Sequence, residues 1–414
     1  MQKQAVETKR DTISYRQLGQ IDGRRLLIEH DVNLNGSVCV IPRGLTLCAR
    51  GGVIRKGVLV GNGTVIEAKK AVFDRVTIKG RWNVPKITTK FFANLKYENS
   101  LRDVVALASP SIKNVIEVGS GVYQVKAEKN GDVCLSLCSN TELILKGTIQ
   151  LLPNDYKAYH IISAKGKNIE IYGNGKVIGD KSLHTGTEGE WGMGITFKGA
   201  VNASVKGLTI KDCWGDCIYV GGKSKNVLIE KCTIDNGRRQ GISVTKAVGV
   251  TIRKCLITNV SGTNPQYAID IEPNRRDSVD NILIENVTMR DCEGGLLVVH
   301  GAPKDGATTP WTGNVTIRNC DVRCKSKHPV RVVRCESIEI EKCKLYAPDG
   351  ISAIIVTSSG DVVIKNNSVS VYSDMLDRVK NELREIVGKG KRCPIDIRKV
   401  RKLTVSNNSI VSSR

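Results

Sequence analysis

Four carboxylates, Glu190, Asp216, Asp270 and Glu272, fall in or beside short apolar runs where a strand would carry a side chain outward. Side chains of a strand alternate between its faces, so if Ile269 and Ile271 point inward, Ala268, Asp270 and Glu272 point outward. The same register turns Ile218 and Val220 inward with Tyr219 outward, and Ile242 and Val244 inward with Ser243 outward. Arg238, Arg239 and Gln240 stand just ahead of the second of these strands, and two of the four tryptophans, Trp191 and Trp214, lie in the same window. Carboxylates, guanidinium groups and aromatic planes on one wall are the equipment of an oligosaccharide site. Cleavage of a glycosidic bond needs one carboxyl as acid and a second as base or nucleophile, about 5–5.5 Å apart for retention and roughly 6.5–9.5 Å for inversion. Asp216, Asp270, Glu272 and Glu190 can supply the pair. Trp191, Trp214, Tyr219, Arg238, Arg239 and Gln240 would bind sugar, with His184 overhanging from a Gly-rich loop and His300 at the far end of the wall. β-Elimination is the rival chemistry, with Arg238 and Arg239 neutralising a uronate. In that case Asp270 and Glu272 would hold Ca²⁺. Hydrolysis requires no cofactor, and no other metal site is expected. A purely structural reading has Asp216 capping a turn and Asp270 and Glu272 paired with the two arginines.

The elements that position these residues come from a repeat. Asn226-Val-Leu-Ile-Glu-Lys-Cys232 returns as Val250-Thr-Ile-Arg-Lys-Cys255, Asn281-Ile-Leu-Ile-Glu-Asn-Val287 and Asn314-Val-Thr-Ile-Arg-Asn-Cys320. Later copies end at Cys343, Asn367 and Asn408, and upstream Val205 to Cys213 joins the series. Intervals from Cys213 to Asn367 are 19, 23, 32, 33, 23 and 24 residues. Each copy reads as a short alternating strand, a turn filled by Cys or Asn, and a further strand such as Gly241-Ile-Ser-Val. A unit this short cannot bury its own apolar face, so the copies must stack as a β-solenoid. One Cys per coil at an equivalent place predicts buried thiols rather than disulfides, and Asn there predicts an internal amide ladder.

These segments resemble the right-handed parallel β-helix of the pectin-lyase-like superfamily over about residues 100–414, an all-β fold. Locally they are most similar to polygalacturonase-type glycoside hydrolases, whose catalytic strands read Gly-Asp-Asp-Cys-Ile, then Gly-His-Gly-Ile-Ser, then Arg-Ile-Lys. The matching segments here are Trp214-Gly-Asp216-Cys217-Ile218, then Arg239-Gln240-Gly241-Ile242-Ser243, then Asp270-Ile271-Glu272. Gly215 replaces the first Asp, Gln240 the His, and Asp270 and Glu272 invert the charge of the Arg and Lys. The resemblance implies a carbohydrate-active β-helix enzyme on an acidic or plant-type polysaccharide, by hydrolysis ahead of elimination, but not galacturonase activity itself. A non-catalytic glycan-binding or structural β-helix is the alternative.

Residues 1–95 read as an N-terminal β region leading into the solenoid at 96–414. A helix beginning at Ser100 is expected to cap one end, and apolar residues at helical spacing predict a helix inserted near 374–388. The chain has 414 residues, 63 Lys+Arg against 41 Asp+Glu, and a net charge of +22. That balance favours an anionic polymer as partner, but the basic residues are spread out, which argues against nucleic acid. No apolar run is long enough to span a membrane. The first residues lack the apolar core of a signal peptide. The expected location is therefore extracellular or periplasmic for a mature chain, and cytoplasmic otherwise.

Overall fold

The computed structural model describes residues 11–274, 276–300, 312–371, 387–388 and 393–412. From Lys86 onward the chain winds into coils whose strands stack in register as three parallel sheets. The first sheet contains Ile218–Gly221, Ile242–Val244, Tyr267–Ile271 and Gly294–Val299. The second contains Ser224–Glu230, Ala247–Arg253 and Val279–Glu285. The third is an 11-stranded sheet running from Val122–Val125 to Ser409–Ser412. In two coils the first and second sheets share one continuous strand, Ala158–Gly173 or Trp191–Lys206, that turns the corner without a break.

The core follows from the alternation. Ile218, Val220, Ile242, Val244, Ile269, Ile271, Leu296 and Val298 are all fully buried and stack along the axis. Each such side chain contributes about 1.5–3 kcal/mol of burial. Most corners between second and third sheets are made by a left-handed residue, Lys231, Lys254, Asn286, Asn319, Lys342, Asn366 or Asn407. The next residue turns inward, giving the column Leu208, Cys232, Cys255, Val287, Cys320, Cys343, Asn367 and Asn408. Its thiols bond backbone oxygens, Cys255 to Arg253 at 3.3 Å and Cys343 to Glu341 at 3.2 Å. Asn367 Nδ2 donates to Ile340 O and to Asn408 Oδ1, each at 2.9 Å, while its Oδ1 accepts from Cys343 N at 2.9 Å. The amide ladder is therefore present. Cys213 does not belong to this column: Gly207, at φ +76°, makes the corner six residues earlier, and Cys213 stands at the next corner in line with Cys292.

The N-terminal segment forms mostly parallel strands around Ile54–Glu67, with one antiparallel hairpin, Gln20–Asp22 with Arg25–Ile28. Strand Lys86–Thr88 already pairs with Asn114–Val118 of the solenoid, so the two regions are joined through continuous coil register. The helix expected from Ser100 is short, Ser100–Val105, and its buried Leu101 and Val104 face the junction. It packs between strand Phe73–Trp82 and strands Val122–Val125 and Asp132–Leu137. The helix expected near 374–388 lies outside the described residues up to position 386, and Val387–Gly388 is a two-residue strand beside Ile395–Arg398.

The two kinds of column residue differ in what their loss leaves behind. Asn367→Ala is expected to cost about 2–3 kcal/mol, because it strands buried hydrogen-bonding groups on both neighbouring coils. Cys320→Ala is expected to cost only about 1 kcal/mol of packing. Urea unfolding of the two variants checks the difference, and equal losses would contradict it.

Candidate functional site

One cleft of about 520 Å³ opens on the outer side of the first sheet. Its floor is a column of outward residues on successive coils, Tyr219, Ser243 and Asp270, each paired in register with the next and continued upstream by Thr196. Asp216 enters from the turn before strand Ile218–Gly221, Arg239 from the turn before Ile242–Val244, and Glu272 directly follows Tyr267–Ile271. Trp191, half exposed, stands on the rim.

Arg239 is the hub of this cluster. Its Nε lies 3.2 Å from Glu190 Oε2, Nη1 lies 3.4 Å from Asp216 Oδ1, and Nη2 lies 3.7 Å from Glu272 Oε2. Asp216, fully buried, also accepts a hydrogen bond from Ser243 Oγ. Burial nevertheless outweighs Arg239 and Ser243 and pushes its carboxyl up to about 6. Asp270 is 1% exposed. Gln240 Nε2 donates to its Oδ2 at 2.5 Å, and Gln240 Oε1 in turn accepts from Tyr267 N at 2.9 Å. Asp270 Oδ1 meets no N–H or O–H donor among the described residues, and the Glu272 carboxyl lies within side-chain hydrogen-bonding reach of Asp270. Burial first, and the neighbouring Glu272 second, hold the Asp270 carboxyl well above the usual carboxylate range. The site therefore joins a carboxyl that burial biases strongly towards its protonated form to a second one raised to about 6, a separation of roles that acid–base catalysis needs.

The sequence-derived residues divide in two. Glu190, Trp191, Asp216, Tyr219, Arg239, Asp270 and Glu272 converge on the cleft or on its Arg239 hub. The others stand behind it. Trp214 is sandwiched between His184, stacked at 3.9 Å, and the Arg238 guanidinium, 3.6 Å from the ring centroid. Arg238 Nη1 also donates to Gly189 O at 2.9 Å. The His184 side chain does not overhang the groove: it is fully buried, with Nδ1 2.9 Å from Asp180 Oδ2, and Asp180 also accepts from Tyr159 OH. This stack pins the 179–190 loop that delivers Glu190 and Trp191. Gln240 sits beneath Asp270 as its donor. His300 is buried outside the cleft, with neither ring nitrogen bonded among the described residues. Gly215 has a steric reason to lack the carboxylate of the similar motif, since a Cβ there would meet Glu190 O at 2.5 Å.

His160, Met193, Lys198, Ser243, Thr245, Pro273 and Asn274 also line the cleft. Of these, only Ser243 had been placed outward by strand alternation. Carrying the same column upstream would have reached Thr196 and, two residues on, Lys198. His160 Nδ1 lies 2.9 Å from Thr196 Oγ1, and burial lowers its imidazole to about 4, so it is neutral at pH 7. Tyr219 OH and Thr245 Oγ1 are 2.8 Å apart. Among the described residues no three His, Cys, Asp or Glu side chains converge to hold a metal ion. The Arg239 guanidinium fills the centre of the carboxylate cluster, so the residues do not fit a Ca²⁺ site at Asp270 and Glu272.

The Asp270 environment has a consequence for stability. A carboxyl whose folded value is raised favours the fold below its unfolded value, and that contribution is lost as pH rises through the folded value. Asp270→Asn keeps an acceptor for Gln240 and removes the charge. It is expected to raise Tm by about 1–3 °C at pH 8 and to leave it unchanged near pH 3.5. Thermal unfolding at the two pH values tests this, and a lower Tm at pH 8 would contradict it.

A sequence model described as a right handed beta helix region matches residues 157–305, which contain every residue of the cleft. The Bacillus subtilis protein YclG is 30% identical over 203 residues, 41% of this chain and 34% of that protein. The SPbeta prophage-derived protein YorA of Bacillus subtilis is 26% identical over 272 residues, 59% of this chain and 46% of that one. The chain thus spans less than half the length of either relative. Among solved structures, endo-xylogalacturonan hydrolase from Aspergillus tubingensis superposes with TM-score 0.56 at 12% identity, over 79% of this chain and 93% of that one. The A-module of Azotobacter vinelandii mannuronan C-5 epimerase AlgE6 gives 0.53 at 12%, over 76% and 94%. A tailspike protein of E. coli bacteriophage HK620 gives 0.53 at 14%, over 77% and 60%. These likenesses lie in the fold, and they agree with the sheet order and coil stacking described above: the chain is a right-handed parallel β-helix.

Proposed function

We propose that the protein is a carbohydrate-active enzyme that hydrolyses glycosidic bonds in the cleft of the first sheet. The observation that carries this reading is Asp270: a buried carboxyl with one oxygen anchored by Gln240 and the other meeting no N–H or O–H donor among the described residues, beside the Glu272 carboxyl. Such an environment favours the protonated form, which can donate to a leaving glycosidic oxygen. Asp216, oriented by Ser243 and Arg239, carries the negative charge that faces the sugar ring, as base or nucleophile. Burial first, and repulsion from the Glu272 carboxyl second, favour the protonated form of Asp270. Trp191 offers an aromatic plane at the rim for sugar stacking. Similar β-helices act on xylogalacturonan and on mannuronan by the names they bear, which supports a glycan as the ligand.

Elimination is disfavoured by the charge balance. A lyase must neutralise the uronate carboxylate beside the scissile bond, whereas Arg239 is already shared by Glu190, Asp216 and Glu272. Release of reducing ends without unsaturated-uronate absorbance, across a polysaccharide panel, is the expected outcome. Binding without either product would assign the cleft to glycan recognition alone and would contradict the proposal.

Two kinetic results are expected on a cleaved substrate. Asp216→Asn and Asp270→Asn should each lower kcat by about 10²–10⁴-fold. The kcat/KM profile should rise with pH through about 6 as Asp216 ionises, and fall at higher pH as Asp270 loses its proton. An acid limb that stays near pH 6 in the Asp216→Asn variant would remove Asp216 from this role.

A further inference from the structure

The cleft is electrically lopsided. Around Arg239, the carboxylates of Glu190, Asp216 and Glu272 outnumber the single guanidinium. Apart from this cluster stands Lys198, exposed and within 4 Å of no carboxylate among the described residues. The coil before it carries Lys165, likewise exposed and unpaired among them. His160, which lines the cleft with Lys198, is neutral and brings no negative charge. Lys198 belongs to the column of outward residues continued by Gly221 and Thr245. Gly221 keeps that track low: a Cβ there would meet Tyr219 OH at 2.4 Å and Thr245 Oγ1 at 2.6 Å. From the strand of Lys198 to that of Asp270 is three strand spacings, about 14 Å, a reach of about two or three sugar units.

Resting on the hydrolase reading, we propose that the ligand is a heteropolysaccharide with an uncharged sugar at the cleavage point and an anionic sugar about two or three units away, seated over Lys198. An anionic sugar beside Asp270 would face a carboxylate cluster whose one guanidinium is already engaged, and like charges in a partly buried cleft repel strongly. The same sugar at Lys198 meets an ammonium that no carboxylate among the described residues engages. The carboxylate cluster and Lys198 therefore set both the placement and the direction of the chain, and a polymer charged on every sugar fits neither requirement.

Binding of the Asp270→Asn protein, in which turnover is blocked, tests this with three classes of probe. These are a neutral xylan or glucan, a homopolymeric uronate such as polygalacturonate, and an alternating uronate–N-acetylhexosamine polymer such as hyaluronan. The alternating polymer is expected to bind best. Adding Lys198→Ala should weaken it about 5–10-fold, and Lys198→Glu should weaken it further, while neutral polymers are unaffected. Equal or tighter binding of the homopolymeric uronate, or an alternating-polymer affinity indifferent to Lys198→Glu, would overturn the charge assignment and leave the hydrolase reading standing. Failure to bind any of the three classes would overturn both. Xylan or glucan cleavage by the wild-type protein, together with a Lys198-independent affinity, would retain the hydrolase and reject the anionic subsite.

Discussion

In-register stacking of parallel coils is the constraint on which the structure depends. Each strand must present its hydrogen-bonding groups to the coil above and below, so residues at equivalent positions stand one strand spacing apart in columns. Inward columns have to be apolar or self-satisfying, which is why Ile, Val and Leu fill the sheets while Cys, and later Asn, fill the corner after the second sheet. Outward columns become continuous tracks. The Tyr219–Ser243–Asp270 track is the floor of the cleft, so the geometry of the site is inherited directly from the geometry of the stack.

The same columns create the electrostatic tension of the site. Acidic side chains from neighbouring coils are brought close together and out of water, where ionising all of them is unfavourable. One guanidinium, from Arg239, offsets part of this by touching Glu190, Asp216 and Glu272. What it does not offset is expressed as a bias towards proton retention: the Asp270 carboxyl is held well above the usual carboxylate range, and Asp216 is raised to about 6. A stack of apolar coils is stable enough to hold such a group in place, and a strained charge cluster is what a reactive carboxyl requires. The long 179–190 loop adds the rim, held down by the buried Asp180–His184 pair and the Trp214–Arg238 stack.

Much of this was legible in the sequence because the repeat carries its own register. The Cys and Asn columns, the inward and outward turns of residues 218–220, 242–244 and 269–272, and the convergence of the carboxylates all follow from alternation within strands and recurrence between them. The errors have local causes. Val205 to Cys213 contains a glycine corner, and without its positive φ the sequence looks like one uninterrupted unit, so Cys213 was placed one corner early. A Gly-rich loop does not reveal what it packs against, so His184 gave no sign of being buried under Trp214. Arg238 and Arg239 are adjacent and chemically identical, yet one faces the indole and the other the carboxylates, a distinction that only the turn geometry decides. His160 and Lys198 escaped notice because their coils carry long strands that bend between sheets and lack the corner motif of the later repeats.

The central claim is that Asp270 is a neutral carboxylic acid at physiological pH, and infrared difference spectroscopy between the wild-type protein and Asp270→Asn tests it most directly. A protonated-carboxyl band present at pH 7 in the wild type and absent from the variant is the result this account predicts. A wild-type spectrum at pH 7 showing only ionised carboxylate at that position would contradict it.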